Sequence, residues 1–321
     1  LCGARGGARM DVALARTKYP GLKAFELTVS ESQERMSFAV PPEKREELET
    51  LAALRGVECS WLGTFEDSGR FEVLYGGRTV ADLDLHFLHE GVPPMQLTAV
   101  VVPPRPNPQG YGAAAEVRAA RGRMNDGDLL NAVAAHPNVR ARRALAQAYD
   151  HEVQARTVRK PYGTLGHGAP GDGAVLRLGD DSFEGVAVGV GLAPAVAPFD
   201  PRAAAFLALD EAVRNAVASG ADPSHMALID NFCWPDPLPS AGNPDATEKL
   251  GALVTSCHAL FEAAVALGMP FISGKDSMKN DYRMGDVKIS VPPTVLVTAV
   301  GKVQDVRALP AAQLTAQNAG A

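Results

Sequence analysis

Cysteine is scarce and unpaired in this 321-residue chain: Cys2, Cys59, Cys233 and Cys257 are scattered, and no two stand in CxxC spacing. Neither a disulfide framework nor a cysteine zinc site is supported, and a reducing, cytoplasmic setting fits. The histidines, His86, His89, His136, His151, His167, His225 and His258, form no HxxxH or HExxH pair, which argues against a zinc site of that kind. No G-x-S-x-G and no Walker A sequence occurs, because Gly274-Lys275 lacks the spaced upstream glycine. No uninterrupted apolar run approaches the roughly 18 residues of a membrane span. Residues 1–10 are rich in glycine and arginine and lack the apolar core of a signal peptide. Charge of one sign is missing too: 31 Lys and Arg stand against 37 Asp and Glu, a net −6 of mixed distribution, which excludes a general nucleic-acid binder.

What is present suits two domains on length, and a hydrophobic content of 46% is ample for real cores. Residues 1–10 are expected to be disordered or a non-native start, and the opening on Leu1 rather than Met points to a fragment. Residues 25–29 alternate like a strand and lead into Ser30-Glu31-Ser32-Gln33-Glu34-Arg35-Met36, after which 37–40 resume strand character. Pro41-Pro42 opens a helix over 43–54, acidic in its early turns and stopped by Gly56. Strands follow over 57–63 and 70–75, and Gly76-Gly77 is the turn signal for a hairpin back through 78–83. This is a small α+β layer.

Residues 92–125 are a proline-stiffened linker or extended arm. Helical stretches over 127–135 and 138–149 then precede the polar cluster Tyr149-Asp150-His151-Glu152-Val153-Gln154. His151, between two carboxylates, reads as a base or as a helix-end hydrogen bonder. A glycine-rich stretch ends in Gly171-Asp172-Gly173 before strands over 174–178 and 185–191. A helix over 201–218 has Asp200 as its cap and Pro201 in its first turn. A strand over 226–229 ends in Asp230-Asn231, a helix covers 246–267 and is closed by Gly268, and 294–300 is a final strand. Strands and helices alternate as in an α/β or α+β nucleotide-binding domain.

Between that last helix and that last strand lies Phe271-Ile272-Ser273-Gly274-Lys275-Asp276-Ser277, read as an apolar strand broken by Ser273-Gly274. The glycine admits close backbone approach, the lysine brings positive charge, and the aspartate supplies an oxygen of the kind that holds Mg²⁺ beside phosphates. A polar turn is the plainer alternative. On the 201–218 helix, Glu211 and Asn215 share a face, and their neighbours Ala212, Val213, Ala216 and Val217 are expected to be buried, so both polar groups need partners. Asp172, Asp230 and Asp276 add carboxylates at loop positions.

Taken in order, the segments Ser30 to Met36, Tyr149 to Gln154 and Phe271 to Ser277 closely resemble the phosphoribosylformylglycinamidine synthases, with similarity from about Asp11 to Asp305. The family fold is a tandem duplication of the aminoimidazole ribonucleotide synthetase unit, packed as a pseudodimer. By that resemblance, 11–100 is the later part of a first-half C-terminal α+β domain, 101–125 a linker, and 126–305 a second-half N-terminal α/β nucleotide-binding domain. Residues 306–321 are a tail or the start of a further domain. The resemblance implies ATP-dependent amidation of formylglycinamide ribonucleotide in purine biosynthesis, with ammonia from a glutaminase domain or subunit and the absent first-half N-terminal domain as pseudodimer mate. It implies no nucleic-acid or membrane partner, and no turnover by this chain alone, since the family's catalytic histidine lies in that absent domain.

The same resemblance makes Glu31, Ser32, Gln33 and Ser277 substrate contacts, and Asp230, Gly274 and Lys275 nucleotide contacts for ATP or ADP. Asp172, Glu211, Asn215 and Asp276 become Mg²⁺ ligands. The Gly274-Lys275-Asp276-Ser277 loop follows the long, single-chain forms, whose second half holds a structural ADP; many short forms read Gly-Asn-Val-Ser there. Two rival readings remain open: a selenophosphate synthetase, thiamine-monophosphate kinase or hydrogenase-maturation factor of the same superfamily, and a non-catalytic scaffold half with an auxiliary nucleotide.

Overall fold

Residues 6–30, 35–107, 119, 123–137, 139–148, 151–152, 154–164, 169–171 and 173–310 are described by a computed structural model. The chain divides into two compact units, Leu1–Gln96 and Leu97–Ala321.

The first unit is built on a four-stranded sheet of β1 (Gly7–Asp11), β2 (Gly63–Glu66), β3 (Arg70–Tyr75) and β4 (Arg78–Asp84), in the order β2-β1-β3-β4. The hairpin expected at Gly76-Gly77 forms: both glycines take positive φ, 60° and 79°, which side chains beyond Cα resist. Their N–H groups donate to the Asp11 carboxylate at 3.0 and 2.7 Å, tying the hairpin to the end of β1. These backbone donors, Gly77 first, hold the Asp11 carboxyl below the usual carboxylate range.

Three expectations for this unit are corrected. Residues 7–10 are not structureless but a central strand, because β1 is fixed by partners far along the chain, antiparallel β2 and parallel β3. Residues 25–29 are helical: α1 (Ala24–Val29) starts with the Lys23 N–H donating to the Glu26 carboxylate at 2.7 Å, a local contact that outweighs the alternation. Residues 37–40 and 57–62 belong to no strand. The proline-led helix is α2 (Arg45–Leu54) after a 3₁₀ turn, Pro42–Lys44, with Gly56 at φ +66° beyond its end. A short α3 (Leu85–Glu90) is capped by the Asp84 carboxylate on the Phe87 N–H at 2.9 Å.

The second unit begins with the proline-rich arm, which docks rather than merely linking. The Val100 N–H donates to the Thr247 carbonyl and the Arg105 N–H to the Phe199 carbonyl, each at 2.9 Å. After α4 (Asp126–Ala135), only α5 (Arg143–Gln147) forms among the described residues of the expected 138–149 helix. A six-stranded sheet follows from β5 (Thr157–Arg159), β8 (Gly173–Arg177), β9 (Gly185–Leu192), β10 (Met226–Cys233), β11 (Phe271–Ser277) and β14 (Thr294–Val303). Small ribbons β6 (Tyr162–Thr164) with β7 (Ala169–Pro170), and β12 (Asp281–Met284) with β13 (Val287–Ser290), were not foreseen.

The sheet order is β11-β10-β14-β9-β8-β5, so the last strand in sequence lies inside the sheet. Within it only β10 and β11 pair in parallel among the described residues. The connection between them is a long helix, α7 (Ala246–Leu267), as a parallel crossover requires. With α6 (Pro201–Ala218), α7 packs on one face, over Ala187, Leu228, Val297 and Ala299, all fully buried. Both helices end as their caps dictate: the Asp200 carboxylate accepts from the Ala203 N–H at 2.9 Å, and Gly268 closes α7 at φ +66°. By length and composition α7 is a helix that could cross a membrane, although Glu248, Lys249, His258 and Glu262 interrupt its apolar run. Its buried residues Gly251, Ser256, Ala259, Leu260 and Ala263 face the protein.

Candidate functional site

Asp230 and Gly274 were expected where strands end. Both lie inside strands, β10 running on to Cys233 and β11 to Ser277. Gly274 does not break the strand, and its smallness serves the neighbouring strand: a Cβ there would stand 2.0 Å from the Asp230 carboxylate Oδ1. The two residues are direct partners in the parallel ladder, and Phe232 pairs with Asp276 one pleat further on. Asp230 and Asp276 therefore point to the same side of the sheet.

Burial, and after it the charge of Asp276, push the Asp230 carboxyl above the ordinary aspartate value, while the Lys275 N–H bonded to it works the other way. Cys257 on α7, which the sequence reading passed over because it sits among the apolar residues of a helix, faces this pair. Burial, then Asp230 and Asp276, raise its thiol. A cleft of about 540 Å³ opens here, lined among others by Asp230, Phe232, Cys257, Leu260, Phe261 and Phe271.

The sign of the Asp230 shift gives a prediction. A carboxyl with a raised folded pKa costs stability as pH climbs from the unfolded value of 3.8 through the folded one, and the full cost is present at pH 7. Asp230→Asn keeps an oxygen for the Lys275 N–H and removes the charge. Its melting temperature should equal or exceed that of the parent at pH 7, and the difference should close well below pH 3.8. A variant melting several degrees lower at pH 7 would contradict this.

Glu211 and Asn215 do share a face of α6, but strand backbone supplies their partners. Glu211 Oε2 accepts from the Leu192 N–H and the Asn215 amide donates to the Val190 carbonyl, each at 2.9 Å. Ala212 and Ala216 are fully buried as expected, whereas Val217 is 38% exposed, because it points away from the sheet. Register places the two groups of candidates on one level: Leu192 pairs with Leu296, Leu296 with Asn231, and Asn231 with Lys275. Three interstrand steps separate β9 from β11, about 14 Å. Among the described residues no three His, Cys, Asp or Glu side chains gather as a metal cluster. Thus Asp276, near Asp230, and Glu211, near Asn215, are ends of a span rather than one coordination shell. Asp172, Glu31, Ser32 and Gln33 lie outside the described residues.

Ser277, half-buried at the end of β11, is held on all sides. Its carbonyl accepts from the Trp234 N–H at 2.8 Å, and its hydroxyl lies 3.1 Å from Asn280 Oδ1 and 3.0 Å from Asn280 Nδ2. Asn280 escaped the sequence reading, although its place three residues after Ser277, beyond a strand, is a turn signal. His151, in its own polar segment, is paired with Glu152 at 4.0 Å through Nδ1, and its Nε2 is buried without a hydrogen-bond partner.

Comparisons with known proteins agree with this architecture. The profile described as AIR synthase related protein, C-terminal domain, matches residues 1–76, and that of the N-terminal domain matches residues 170–303. The phosphoribosylformylglycinamidine synthase subunit PurL of Ignicoccus hospitalis is 34% identical over 307 residues, 93% of this chain and 38% of that protein. Thermotoga maritima PurL complexed with ADP superposes with a TM-score of 0.66 at 22% identity, over 95% of this chain and 44% of that one. The same protein complexed with FGAR gives 0.65 at 21% identity, over 95% and 42%. The chain spans about two fifths of the length of the curated relatives it matches.

Proposed function

Because the chain belongs to the AIR synthase-related family, its first part of the C-terminal type and its second of the N-terminal type, we propose that it is part of a phosphoribosylformylglycinamidine synthase. The activity is that of an ATP-dependent carbon–nitrogen ligase of purine biosynthesis. The formyl-amide oxygen of formylglycinamide ribonucleotide takes the terminal phosphoryl group of ATP and releases ADP. Ammonia, drawn from glutamine by a glutaminase domain or subunit, then adds to that carbon, and the oxygen departs as phosphate.

The observation that carries the reading is the in-register pairing of Asp230 with Gly274, next to Asp276 and Lys275. Two carboxylates on one side of adjacent strands, one of them raised by burial and by its neighbour, form a donor set suited to a divalent cation. Asp276 and Asp230 would hold Mg²⁺ at the β11 edge. Glu211 Oε1 and Asn215 Oδ1, the oxygens left over from their strand contacts, would serve at the β9 end, and Asp172 is the further Mg²⁺ ligand that the resemblance implies. Bound there, Mg²⁺ would neutralise phosphate charge. Lys275, a nucleotide contact by the resemblance, serves this side of the sheet through its N–H, which fixes the Asp230 carboxylate, while its side chain projects from the other face of β11. Glu31, Ser32, Gln33 and Ser277 would contact the ribonucleotide. A phosphate chain with its ions can bridge about 14 Å between two groups, which a single ion cannot.

The test is made in the complete enzyme supplied with ammonia, ATP and formylglycinamide ribonucleotide. The wild type is expected to form the amidine with stoichiometric ADP. Asp276→Ala should weaken Mg-ADP binding about tenfold or more, the scale of a lost charged contact. Equal nucleotide affinity and melting temperature would remove Asp276 from the site. Weakened binding with undiminished turnover would identify the nucleotide as auxiliary, the arrangement suggested by Gly274-Lys275-Asp276-Ser277.

A further inference from the structure

Alternation along β11 gives its side chains two destinations. Gly274 and Asp276 lie with Asp230 and Phe232 on the side that α6 and α7 cover, so Ser273, Lys275 and Ser277 project from the opposite side. Their ladder partners on β10, Ile229, Asn231 and Cys233, share that opposite side. Asn231 is the direct partner of Lys275, about 5 Å away, and Ser273 and Ser277 stand about 7 Å from Lys275 along the strand. These spacings let one small group touch several of the four side chains at once.

The rest of this side is apolar. Register with Asn231 places Leu296 of β14 and Leu192 of β9 on it, and alternation adds Val186, Val188 and Val190 on β9 and Val300 on β14. Val190 and Leu192 are 40% and 44% exposed. A sheet face made for water is polar along its strands, whereas here valine and leucine run up to a polar island on β10 and β11. An ammonium at the border of such a face calls for an anion, and Lys275 forms no ion pair among the described residues. Neither the Asn231 amide nor the Ser273 hydroxyl hydrogen-bonds another described side chain. The Ser277 hydroxyl, 3.1 Å from Asn280 Oδ1 and 3.0 Å from Asn280 Nδ2, is free to donate as well as to accept.

We propose that Lys275, Asn231, Ser273 and Ser277 form an anion subsite that holds the phosphate of the ribonucleotide, on the side of β11 opposite the Asp230 and Asp276 carboxylates. This rests on the synthase reading above. An ammonium, an amide NH₂ and two hydroxyls are all donors, and the oxygens of a phosphate dianion only accept. The two faces sort the two ligands by charge. A metal-bound nucleotide brings its own cations to the carboxylate side, whereas a ribonucleotide monophosphate brings none and needs the lysine. β11 is the outermost strand of its sheet, so ligands on its two sides can meet around its free edge.

The experiment is calorimetric titration of the complete enzyme with formylglycinamide ribonucleotide, its dephosphorylated riboside, inorganic phosphate and Mg-ADP. The parent, Lys275→Met, Lys275→Arg and Asn231→Asp are compared, with thermal melting run on each. Lys275→Met keeps the stem and removes the charge; it should weaken the ribonucleotide about tenfold or more and leave Mg-ADP within about twofold. Asn231→Asp, equal in size, sets a carboxylate beside the lysine and should do the same, while Lys275→Arg should recover most of the affinity. The riboside should bind parent and variants alike, and inorganic phosphate should compete with the ribonucleotide but not with Mg-ADP. An unchanged ribonucleotide affinity in Lys275→Met would overturn the proposal. So would an equal loss for the riboside, or a loss that falls on Mg-ADP instead. A parent that binds inorganic phosphate through Lys275 but forms no amidine would sink the synthase reading alone.

Discussion

Gly191→Ala should lower the melting temperature of the protein by roughly 6–12 °C. The new Cβ would stand 2.1 Å from the Ala208 carbonyl oxygen, 2.6 Å from the Ala212 nitrogen and 2.8 Å from Glu211 Cβ, where about 3.5 Å is comfortable. Two of the three neighbours are backbone of α6, which cannot give way alone, so the helix must ride outward as a body. Ala205, Ala208, Leu209 and Ala212 would leave their contacts with the sheet together. Overpacking ordinarily costs about 1–3 kcal/mol, and a clash with helix backbone belongs at the upper end, about 3 kcal/mol. Gly127→Ala is the control, because its nearest atom, the Asn125 side-chain oxygen, lies at 3.3 Å. If the two variants melt within 2 °C of each other, the close seating of α6 on β9 is not what holds this layer. The displaced helix also carries Glu211 away from the Leu192 N–H, so the same variant should weaken nucleotide binding.

Gly274→Ala divides its cost differently. The atom in the way is a side-chain oxygen, Asp230 Oδ1 at 2.0 Å, with its carbon at 3.0 Å. Asp230 can rotate aside, which spares the fold most of the strain but gives up the Lys275 N–H and the place beside Asp276. The expected result is a modest loss of stability, about 1 kcal/mol, with a fall of about 100-fold in Mg-ADP affinity, near 2.7 kcal/mol. Calorimetric titration of the complete enzyme and a melting curve together read both parts. Retained affinity would mean that the Asp230 carboxylate is not used by the nucleotide.

These two glycines mark the boundary of what could be read from the chain alone. The ends of α6 and α7 were legible because their signals are local: Asp200 and Pro201 at one start, Gly268 at one finish. The Gly76-Gly77 hairpin was legible for the same reason. Where two readings shared a pattern, local chemistry chose against the alternation, as in α1, whose Phe-Glu-Leu-Thr-Val serves strand or helix until Glu26 bonds back to Lys23. Where partners were distant, the sequence was silent, as with β1. Ser273-Gly274 was read as a break because glycine usually weakens a strand; the crowding by Asp230 that demands it comes from its ladder partner 44 residues earlier in the chain, beyond any window of periodicity. For the candidate site, motif order pointed to Asp230, Gly274, Asp276 and Ser277, but only register shows that Glu211 and Asn215 sit three strands away from them. Asn280, which finishes the environment of Ser277, carried no signal beyond its turn propensity.

The place of β14 has a consequence for biosynthesis. It bonds to β10 on one side and β9 on the other, yet of this sheet's strands it is the last to leave the ribosome. Until residues 294–303 emerge, β9 with β8 and β10 with β11 are separate ribbons, each with an open edge along its most apolar length. Nascent chains stalled before Thr294 should therefore be sensitive to protease and prone to bind chaperones, and those released beyond Val303 should not. The proposed nucleotide site is subject to the same timing, since the row from Leu192 to Lys275 exists only once the strand between them has been inserted.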